Sequence, residues 1–403
     1  MQTALITGAA SGIGRDAARL FAAAGWQCVL VDRNEEALHE LGKRLPAPAS
    51  AAHVLRAIDL TDAQQVASLA EGTPALDAIL NNAGMSDASN TPLADQTPAQ
   101  MARLLALNLA APAAVVDACA SQLKPGARIV NVSSGAGLHA IPFRGLYSPS
   151  KAGVIAQTRA LAEARPEWCA TVLAPGFVRT ELVDGLIQAG RIQPESAVAK
   201  IPLGRMASPA EMAQALFFLA SAGAAPLRGQ VLAVNGGSSI YGGSQRFAPA
   251  TLEPLPLDRP TQLDVCGGDP SPWQAVAPAA VEEPHYAACL DVSPLACEGP
   301  GLLHAVHAAA ARFAARHAQQ ASLTLLLPAA QPGRWQDAGD AAAARMLVST
   351  LACEWGARAL RINAIEVPAE VDPAALHPLL RFVSGAAAQY LTGQNLVARG
   401  TAR

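Results

Sequence analysis

The sequence predicts an α/β protein: a doubly wound parallel sheet of seven strands, followed by a smaller, truncated α/β repeat of the same type. Three observations carry this expectation. Up to about residue 240, short apolar runs alternate with helical stretches of ten residues or more. That is the pattern of parallel βαβ units with helices on both faces of a sheet. A proline- and glycine-rich stretch follows, and beyond it the chain echoes its own first part. Hydrophobic residues make up 51% of the 403 and charged residues only 15%, so there is material for buried cores and little for a disordered chain. At roughly 150 residues per domain the length suits two or three.

Taken in order, strands are expected at Thr3–Ile6, Cys28–Val31, Val54–Ile58, Ala78–Leu80, Arg128–Val132, Thr171–Leu173 and Val231–Val234. Each is a short apolar run bounded by polar or glycine residues. Helices are expected between them, among others at Arg15–Ala24, Pro98–Leu123, Ser150–Ala164 and Pro209–Ala220. Residues 241–262 run through Gly-Gly-Ser into Ala-Pro, Glu-Pro, Leu-Pro and Arg-Pro. Proline at that frequency excludes a helix, and the segment reads as a linker. Periodic stretches resume at Leu302–His317, Ser322–Leu327, Ala338–Trp355, Leu360–Ile365, Pro373–Val383 and Asn395–Val397.

The echo rests on two alignments. The helix from Lys151 to Glu163 resembles the one from Ala342 to Glu354, and Leu227–Val234 parallels Leu391–Ala398. The echo starts near the middle of the unit and has no glycine-rich turn. The expected organisation is therefore residues 1–240 as the main domain, 241–262 as linker and 263–403 as a degenerate tandem repeat.

Composition excludes several classes. Twenty-nine basic against 32 acidic residues give a net charge of −3, not the cationic surplus of a nucleic-acid or anionic-membrane binder. No uninterrupted apolar stretch approaches the ~20 residues that span a bilayer. The seven cysteines are scattered, odd in number and without a C-x-x-C pair, which argues for reduced thiols in a cytoplasmic protein rather than a disulfide framework or zinc ribbon. The first strand begins at Thr3, which leaves no room for a signal peptide before it. His304, His307 and His317 invite a metal reading, but they lack a third ligand at suitable spacing, and no metal is expected.

Strand one runs directly into Thr7-Gly8-Ala9-Ala10-Ser11-Gly12-Ile13-Gly14, and a helix follows. Glycines there allow a tight turn and let a pyrophosphate approach backbone N–H groups at a helix N-terminus, where the dipole favours negative charge. About twenty residues on, Asp32 ends the second strand. An acid at that place accepts hydrogen bonds from an adenosine ribose and repels a 2′-phosphate, favouring NAD over NADP. Arg33, next to it, keeps NADP open.

That turn, Asn81-Asn82-Ala83-Gly84 after the fourth strand, Tyr147-x3-Lys151, and Pro175-Gly176 after the sixth strand together resemble the short-chain dehydrogenase/reductase family. The resemblance covers residues 1 to about 240, with every motif in order. With four tyrosines and four lysines in the chain, the Tyr-x3-Lys spacing at the head of the expected helix is a specific signal. The resemblance implies a Rossmann-like fold and an NAD(P)-dependent oxidoreductase that interconverts a secondary alcohol and a ketone. Residue by residue it implies Asn108 supporting a relay water, Ser134 binding the substrate oxygen, Tyr147 as acid/base, and Lys151 binding the nicotinamide ribose and lowering the tyrosine pKa. A phenol near pKa 10 is a poor base at neutral pH, and a cation one helical turn away favours the phenolate. Ser133 competes with Ser134, but the thirteen-residue spacing to Tyr147 favours the latter.

By the same resemblance Gly8, Ser11, Gly12, Ile13, Gly14 and Asp32 hold the cofactor, with Asp59 and Leu60 beside adenine. Asn82, Ala83 and Gly84 line the dinucleotide, Tyr147 and Lys151 face its ribose, and Val178 and Thr180 meet its carboxamide. Asn81 is expected to tie strand four to its neighbours. The pocket for a small-molecule substrate is expected from Met85, Leu138–Leu146 and Arg179 to about Leu203, with Arg144 or Arg179 as candidate anion clamps. In the second part Ala338 and Ala342 stand where Tyr147 and Lys151 would, and Val367-Pro368 replaces Pro175-Gly176. That part should bind no dinucleotide. Family members associate through mid-chain helices and the last helix and strand, so it would serve as an internal pseudo-subunit of a chain that also forms homo-oligomers. Two alternatives stand beside this reading: an NADPH-dependent 3-oxoacyl thioester reductase, and a non-catalytic cofactor-binding scaffold.

Overall fold

The computed structural model describes residues 1–48, 51–87, 91–190, 192–278, 281–329 and 335–399, without the side chains of residues 300 and 335–337. Strands β1 (Thr3–Thr7), β2 (Gln27–Asp32), β3 (Val54–Ala57), β4 (Leu76–Asn81), β5 (Leu123–Val132), β6 (Cys169–Pro175) and β7 (Val231–Val234) form one sheet in the order β3-β2-β1-β4-β5-β6-β7. β1 pairs in parallel with both β2 and β4, so the strand order reverses there. The expected seven-stranded, doubly wound parallel sheet is what the chain forms.

Helices α1 (Gly12–Ala23), α2 (Glu35–Arg44), α3 (Ala63–Ala67), α4 (Pro98–Leu105), α5 (Ala111–Ala118), α6 (Tyr147–Ala164), α7 (Glu181–Gln188), α8 (Pro194–Val198) and α9 (Pro209–Leu219) belong to the first 240 residues. The reasons for their boundaries are local. Thr97 and Ser208 form capping boxes with Gln100 and Glu211, each followed by proline at the first helical position. One core cluster packs Leu5, Val29, Ile79 and Ile129 of the strands against Val115 and Val116 of α5. Elsewhere Phe21 of α1 meets Trp26 and Phe217 edge-on, with ring centroids 5.0 and 5.1 Å away.

The continuous helical run Pro98–Ala118 departs from the sequence expectation in two ways. It ends at Ala118 rather than Leu123, since β5 already begins at Leu123. It is also long and apolar enough to cross a membrane by length and composition, although no such stretch was expected. Its apolarity comes mostly from alanine, and it packs against α3 and α6.

A second, five-stranded parallel sheet follows: β8 (Thr261–Cys266), β9 (Tyr286–Asp291), β10 (Ala321–Pro328), β11 (Arg361–Val367) and β12 (Asn395–Val397), in sequential order. Helices α10 (Pro300–Arg316), α11 (Trp335–Trp355) and α12 (Pro373–Ser384) connect the last strands. Its core joins Leu323, Leu325, Ile362 and Ala364 to Val306, Phe313, Val348 and Trp355. β8 and β9 lie outside the sequence expectation. Thr-Gln-Leu-Asp-Val-Cys is a half-exposed edge strand whose apolar run is broken by Gln262 and Asp264, and Tyr-Ala-Ala-Cys-Leu-Asp has no β-branched residue, so neither stands out as a β-prone apolar run. A glycine pair at positive φ, Gly267-Gly268, follows β8 where no glycine turn was expected.

The chain divides into two compact units. One comprises Met1–Gln193, Ser208–Ala222 and Arg228–Ala233; the other comprises Pro194–Ala207, Gly223–Leu227 and Val234–Arg403. Residues 241–260 form no helix or strand, yet within the second unit they are held as a strap. Phe247 N donates to Ala199 O at 3.0 Å, Ala250 N to Gly204 O at 2.8 Å, and Leu255 N to Gln389 Oε1 at 3.0 Å.

Arg361 at the start of β11 is 1% exposed and, among the described residues, pairs with no carboxylate. Its five N–H groups instead donate to the Tyr286 hydroxyl and to the carbonyls of Val383, Leu391, Ser384 and Gly385, at 2.9 to 3.2 Å. It thereby satisfies the C-terminal carbonyls of α12 that helical bonding leaves free. Arg361→Ala strands these buried acceptors, and the expected loss is on the order of 3 kcal/mol or more. Arg361→Lys, with three donors in place of five, recovers only part of it. Urea unfolding followed by tryptophan fluorescence measures both.

Candidate active site

Strand reversal at β1/β4 opens a crevice at the carboxyl ends of the strands, the usual ligand position in such sheets. Thr7 Oγ1 donates to Leu80 O and accepts from the backbone amides of Asn82 and Ala83, both at 3.0 Å. Asn82 Nδ2 donates back to Thr7 O at 3.0 Å. Asn81 points the other way, donating to Asn131 Oδ1 at 2.8 Å and to Pro112 O, which ties β4 to β5 and α5.

The turn after β1 needs its glycines. Gly8 and Gly12 have φ of +65° and +51°, and a Cβ on Gly14 would collide with the Gly8 carbonyl. A cavity of about 240 Å³ is lined by Gly8, Ser11, Gly12 and Ile13, by Asn82, Ala83 and Gly84, by Ser134, Tyr147 and Lys151, and by Val178 and Thr180. Ser11 caps α1 without using its hydroxyl on the helix. Asp32 lies at the end of β2, where its carboxylate accepts from Ala10 N and Asn34 N, each at 3.0 Å. Asp59 turns inward on its own loop: its Oδ1 accepts from the amide and hydroxyl of Thr61. Those two bonds hold its carboxyl below the ordinary range. Leu60 beside it is buried.

The reacting end is built by α6 and the exit of β5. Tyr147 and Lys151 are one turn apart on α6. Ser134 Oγ accepts from Ala136 N at 3.1 Å and lies near enough to the Tyr147 phenol to pull its pKa down. Ser133 is occupied elsewhere, donating to Lys151 O at 2.8 Å, so Ser134 is the serine that faces the phenol. Burial raises the Tyr147 pKa, offset only in part by Ser134 and by Arg144. Lys151 is 4% exposed; its Nζ donates to Val132 O at 2.9 Å, and burial pulls its pKa down to about 8. In the nucleotide-free chain Lys151 is not among the groups that lower the Tyr147 pKa. The amine is itself desolvated and turned to a carbonyl, and the phenol responds to Ser134 and Arg144 instead.

Asn108 sits in a π-helical turn, Ala106–Ala110, between α4 and α5. Such bulges collect at functional sites because they re-aim one side chain. Its amide is 1% exposed. Oδ1 accepts from Met85 N, and Nδ2 donates to Met85 O and to Ser150 Oγ, at 2.8, 2.8 and 3.2 Å. Asn108 thus clamps the loop after Gly84. A side chain at Gly84 would meet Lys151 Nζ at 3.2 Å and Asn108 Oδ1 at 3.3 Å.

The substrate side differs from expectation. Met85, Leu182 and Val183 line the cavity, but no residue of Leu138–Leu146 does. That segment is displayed outward: Leu138 and Ile141 are exposed, and Phe143 is 53% exposed with φ of +59°. Arg179 pairs with Asp184 at 3.0 Å and is mostly exposed, which fits a surface ion pair rather than a clamp. Residue 191 of the expected lining lies outside the described residues. Glu181 falls within the expected stretch from Arg179 to about Leu203, but its contact with the glycine turn is not anticipated by the sequence reading. It lines the cavity, and its carboxylate meets both Gly12 N and Arg15. Its position directly after Thr180 was the available signal. Among the described residues no group of three or more His, Cys, Asp or Glu is arranged to hold a metal ion.

A family model described as enoyl-(acyl carrier protein) reductase matches residues 8–239. The chain belongs to the short-chain dehydrogenase/reductase family. It is 38% identical over 242 residues to the uncharacterised short-chain type dehydrogenase/reductase y4vI of Sinorhizobium fredii, a match covering 58% of this chain and 43% of that protein, so the chain spans less than half of that relative's length. It is 34% identical to the 3-oxoacyl-[acyl-carrier-protein] reductase of Rickettsia prowazekii, over 59% of this chain and 96% of that one. Among solved structures, a putative NAD(P)-dependent gluconate 5-dehydrogenase from Beutenbergia cavernae, with bound NADP, superposes with a TM-score of 0.52 at 30% identity, covering 59% of this chain and 96% of that one. The chain is an oxidoreductase of this family and its cofactor is NAD(P). The glycine turn, the open cavity and the Asp32 carboxylate suit a dinucleotide.

The depressed Lys151 pKa makes a stability prediction for the nucleotide-free chain. Between about 8 and 10.5 the unfolded chain holds a proton on Lys151 that the folded chain has released. Stability therefore rises with pH across that window. Lys151→Met removes this dependence. The variant's stability relative to wild type should fall by on the order of 3 kcal/mol from pH 7 to pH 10.5, at ~1.4 kcal/mol per pH unit. Urea midpoints of the two proteins at both pH values measure it; a constant difference contradicts the buried amine.

Proposed function

We propose that the chain is an NAD-linked dehydrogenase that interconverts a secondary alcohol and a ketone, with Tyr147 as its acid/base. The observation that carries this reading is the convergence of Ser134, Tyr147 and Lys151 on the cavity that begins at the glycine turn. Bound cofactor supplies or accepts the hydride. Ser134, on the same cavity as the phenol, orients the substrate oxygen between the two hydroxyls. Tyr147 gives its proton to that oxygen in reduction and takes it in oxidation. Lys151, anchored on Val132 O, would hold the cofactor ribose, and Asn108 keeps the Met85 loop in place. Asp32 favours NAD by its charge against a 2′-phosphate.

Because burial favours the protonated phenol, reduction is the easier direction at neutral pH, and oxidation gains as pH rises. In the second sheet, Asp291 crosses the glycine pair after β8. Its Oδ1 accepts from Ser293 N at 2.9 Å, and its Oδ2 pairs with Arg312 at 2.8 Å. That carboxylate supports reading residues 263–403 as a part that binds no dinucleotide; its role as an internal pseudo-subunit, in a chain that also forms homo-oligomers, is part of the same proposal.

One further reading has a specific observation behind it. The Rickettsia relative is a 3-oxoacyl thioester reductase matched over 96% of its length, and Leu182 beside the cavity is 56% exposed, an apolar rim for an acyl chain. Asp32 weighs against the NADPH that this alternative requires.

Titration of nucleotide fluorescence with NADH and NADPH tests the reading. Asp32→Ala should weaken NADH binding and erase the preference for it. Tyr147→Phe should lower kcat by roughly 10²- to 10⁴-fold, the usual worth of a positioned acid/base, with the NADH Kd nearly unchanged. A Tyr147→Phe enzyme of normal rate overturns the assignment, and a chain that binds neither nucleotide overturns the dehydrogenase reading.

A further inference from the structure

Glu181 occupies an unusual position. It is the first residue of α7, where an acid normally serves its own helix N-terminus. Here the carboxylate reaches across to α1. Its Oε2 accepts from Gly12 N at 3.1 Å, and its Oε1 pairs with the Arg15 guanidinium at 2.6 Å. Gly12 N is one of the amides that helical bonding leaves free in the first turn of α1. Thr180, which caps α7 by accepting from Val183 N, packs beside Gly12, so the two helix starts are held together. Partial burial opposes the charge of Glu181. Its own backbone amide, Arg15 and Gly12 N outweigh that and hold the carboxyl below the ordinary range, so it is ionised at neutral pH.

The turn therefore already holds an anion, and that anion belongs to the chain. A carboxylate on the glycine-turn amide and an arginine fills the electrostatic role that a dinucleotide pyrophosphate fills there. Two anions cannot share one amide and one helix dipole without repulsion. We propose that Glu181 is an internal competitor for the pyrophosphate position: it latches the start of α7 to the glycine turn, and cofactor entry displaces it and frees α7. The proposal rests on residues 8–14 being the nucleotide turn. It makes Glu181 a positioning residue that sets cofactor affinity and couples it to the helix bearing Leu182 and Val183, which line the same cavity.

The test uses the full chain with NADH as probe. Glu181→Gln keeps the size and removes the charge, so it should tighten NADH binding about five-fold, the range of a partly exposed ion pair. Glu181→Asp, shorter by one methylene but still charged, should bind no more weakly than wild type and no more tightly than the glutamine variant. Raising the salt concentration should narrow the difference between wild type and Glu181→Gln, because salt screens the Glu181–Arg15 attraction. Amide hydrogen exchange supplies a readout independent of affinity. Residues 181–188 should exchange faster in wild type on addition of NADH, and should already be fast in Glu181→Gln without it.

Equal NADH affinities in wild type and Glu181→Gln overturn the latch while leaving the nucleotide turn intact. Weaker binding by Glu181→Gln overturns it too, and makes the carboxylate a clasp that closes over bound cofactor. Failure of both proteins to bind NADH or NADPH overturns the nucleotide reading itself.

Discussion

The seam between β1 and β4 is the constraint on which the site depends. Two parallel strands far apart in sequence end side by side, and their ends are locked by one hydroxyl: Thr7 Oγ1 bonded to Leu80 O and to the amides of Asn82 and Ala83. Those backbone groups emerge at the rim of a sheet, where unpaired amides would be costly. The lock also sets the spacing of the glycine turn, since Asn82 Nδ2 bonds the Thr7 carbonyl and packs against Gly8. Everything downstream inherits that spacing, including the narrow passage where Gly84 must stay small between Lys151 and Asn108.

A second theme is charge held out of water. Lys151 is buried against the Val132 carbonyl, and Arg361 is buried with carbonyls and a hydroxyl in place of a carboxylate. Burying a cation is unfavourable unless hydrogen bonds replace its hydration. Arg361 meets that requirement completely and so staples α12 to the second sheet. Lys151 meets it less well, and the consequence is a pKa near 8. An amine in that state answers readily to any anionic or hydroxyl group brought to it, which is a useful property beside a ribose and a costly one in a structural residue.

Much of this was legible in the chain. The glycine turn, Asp32, Asn82-Ala83-Gly84, Ser134, Tyr147-x3-Lys151 and Thr180 follow one another at spacings that only a parallel sheet with a crossover order can bring together. The cavity does join most of them. What could not be read was direction. The choice between Ser133 and Ser134 rested on spacing, and the structure adds that Ser133 is bonded to a helix carbonyl. Lys151 was expected to act on the phenol, but its reach goes to Val132. Leu138–Leu146 was expected in the pocket and faces outward, because a loop's path depends on what it packs against rather than on its own residues.

Local pattern determined the strands and helices of the first sheet, since apolar period and caps act between near neighbours. It likewise determined the turn, whose glycines are a requirement of backbone sterics. β8 and β9 needed the tertiary structure, because a half-exposed edge strand broken by polar residues and a strand without β-branched residues are held by the sheet they join rather than by propensity. The contact of Glu181 with Gly12 and Arg15 needed it as well. Those residues are separated by 169 positions in one case and nearly as many in the other, and no periodicity links them. Only the folding of α7 back onto the start of α1 decides that a carboxylate stands at the glycine turn.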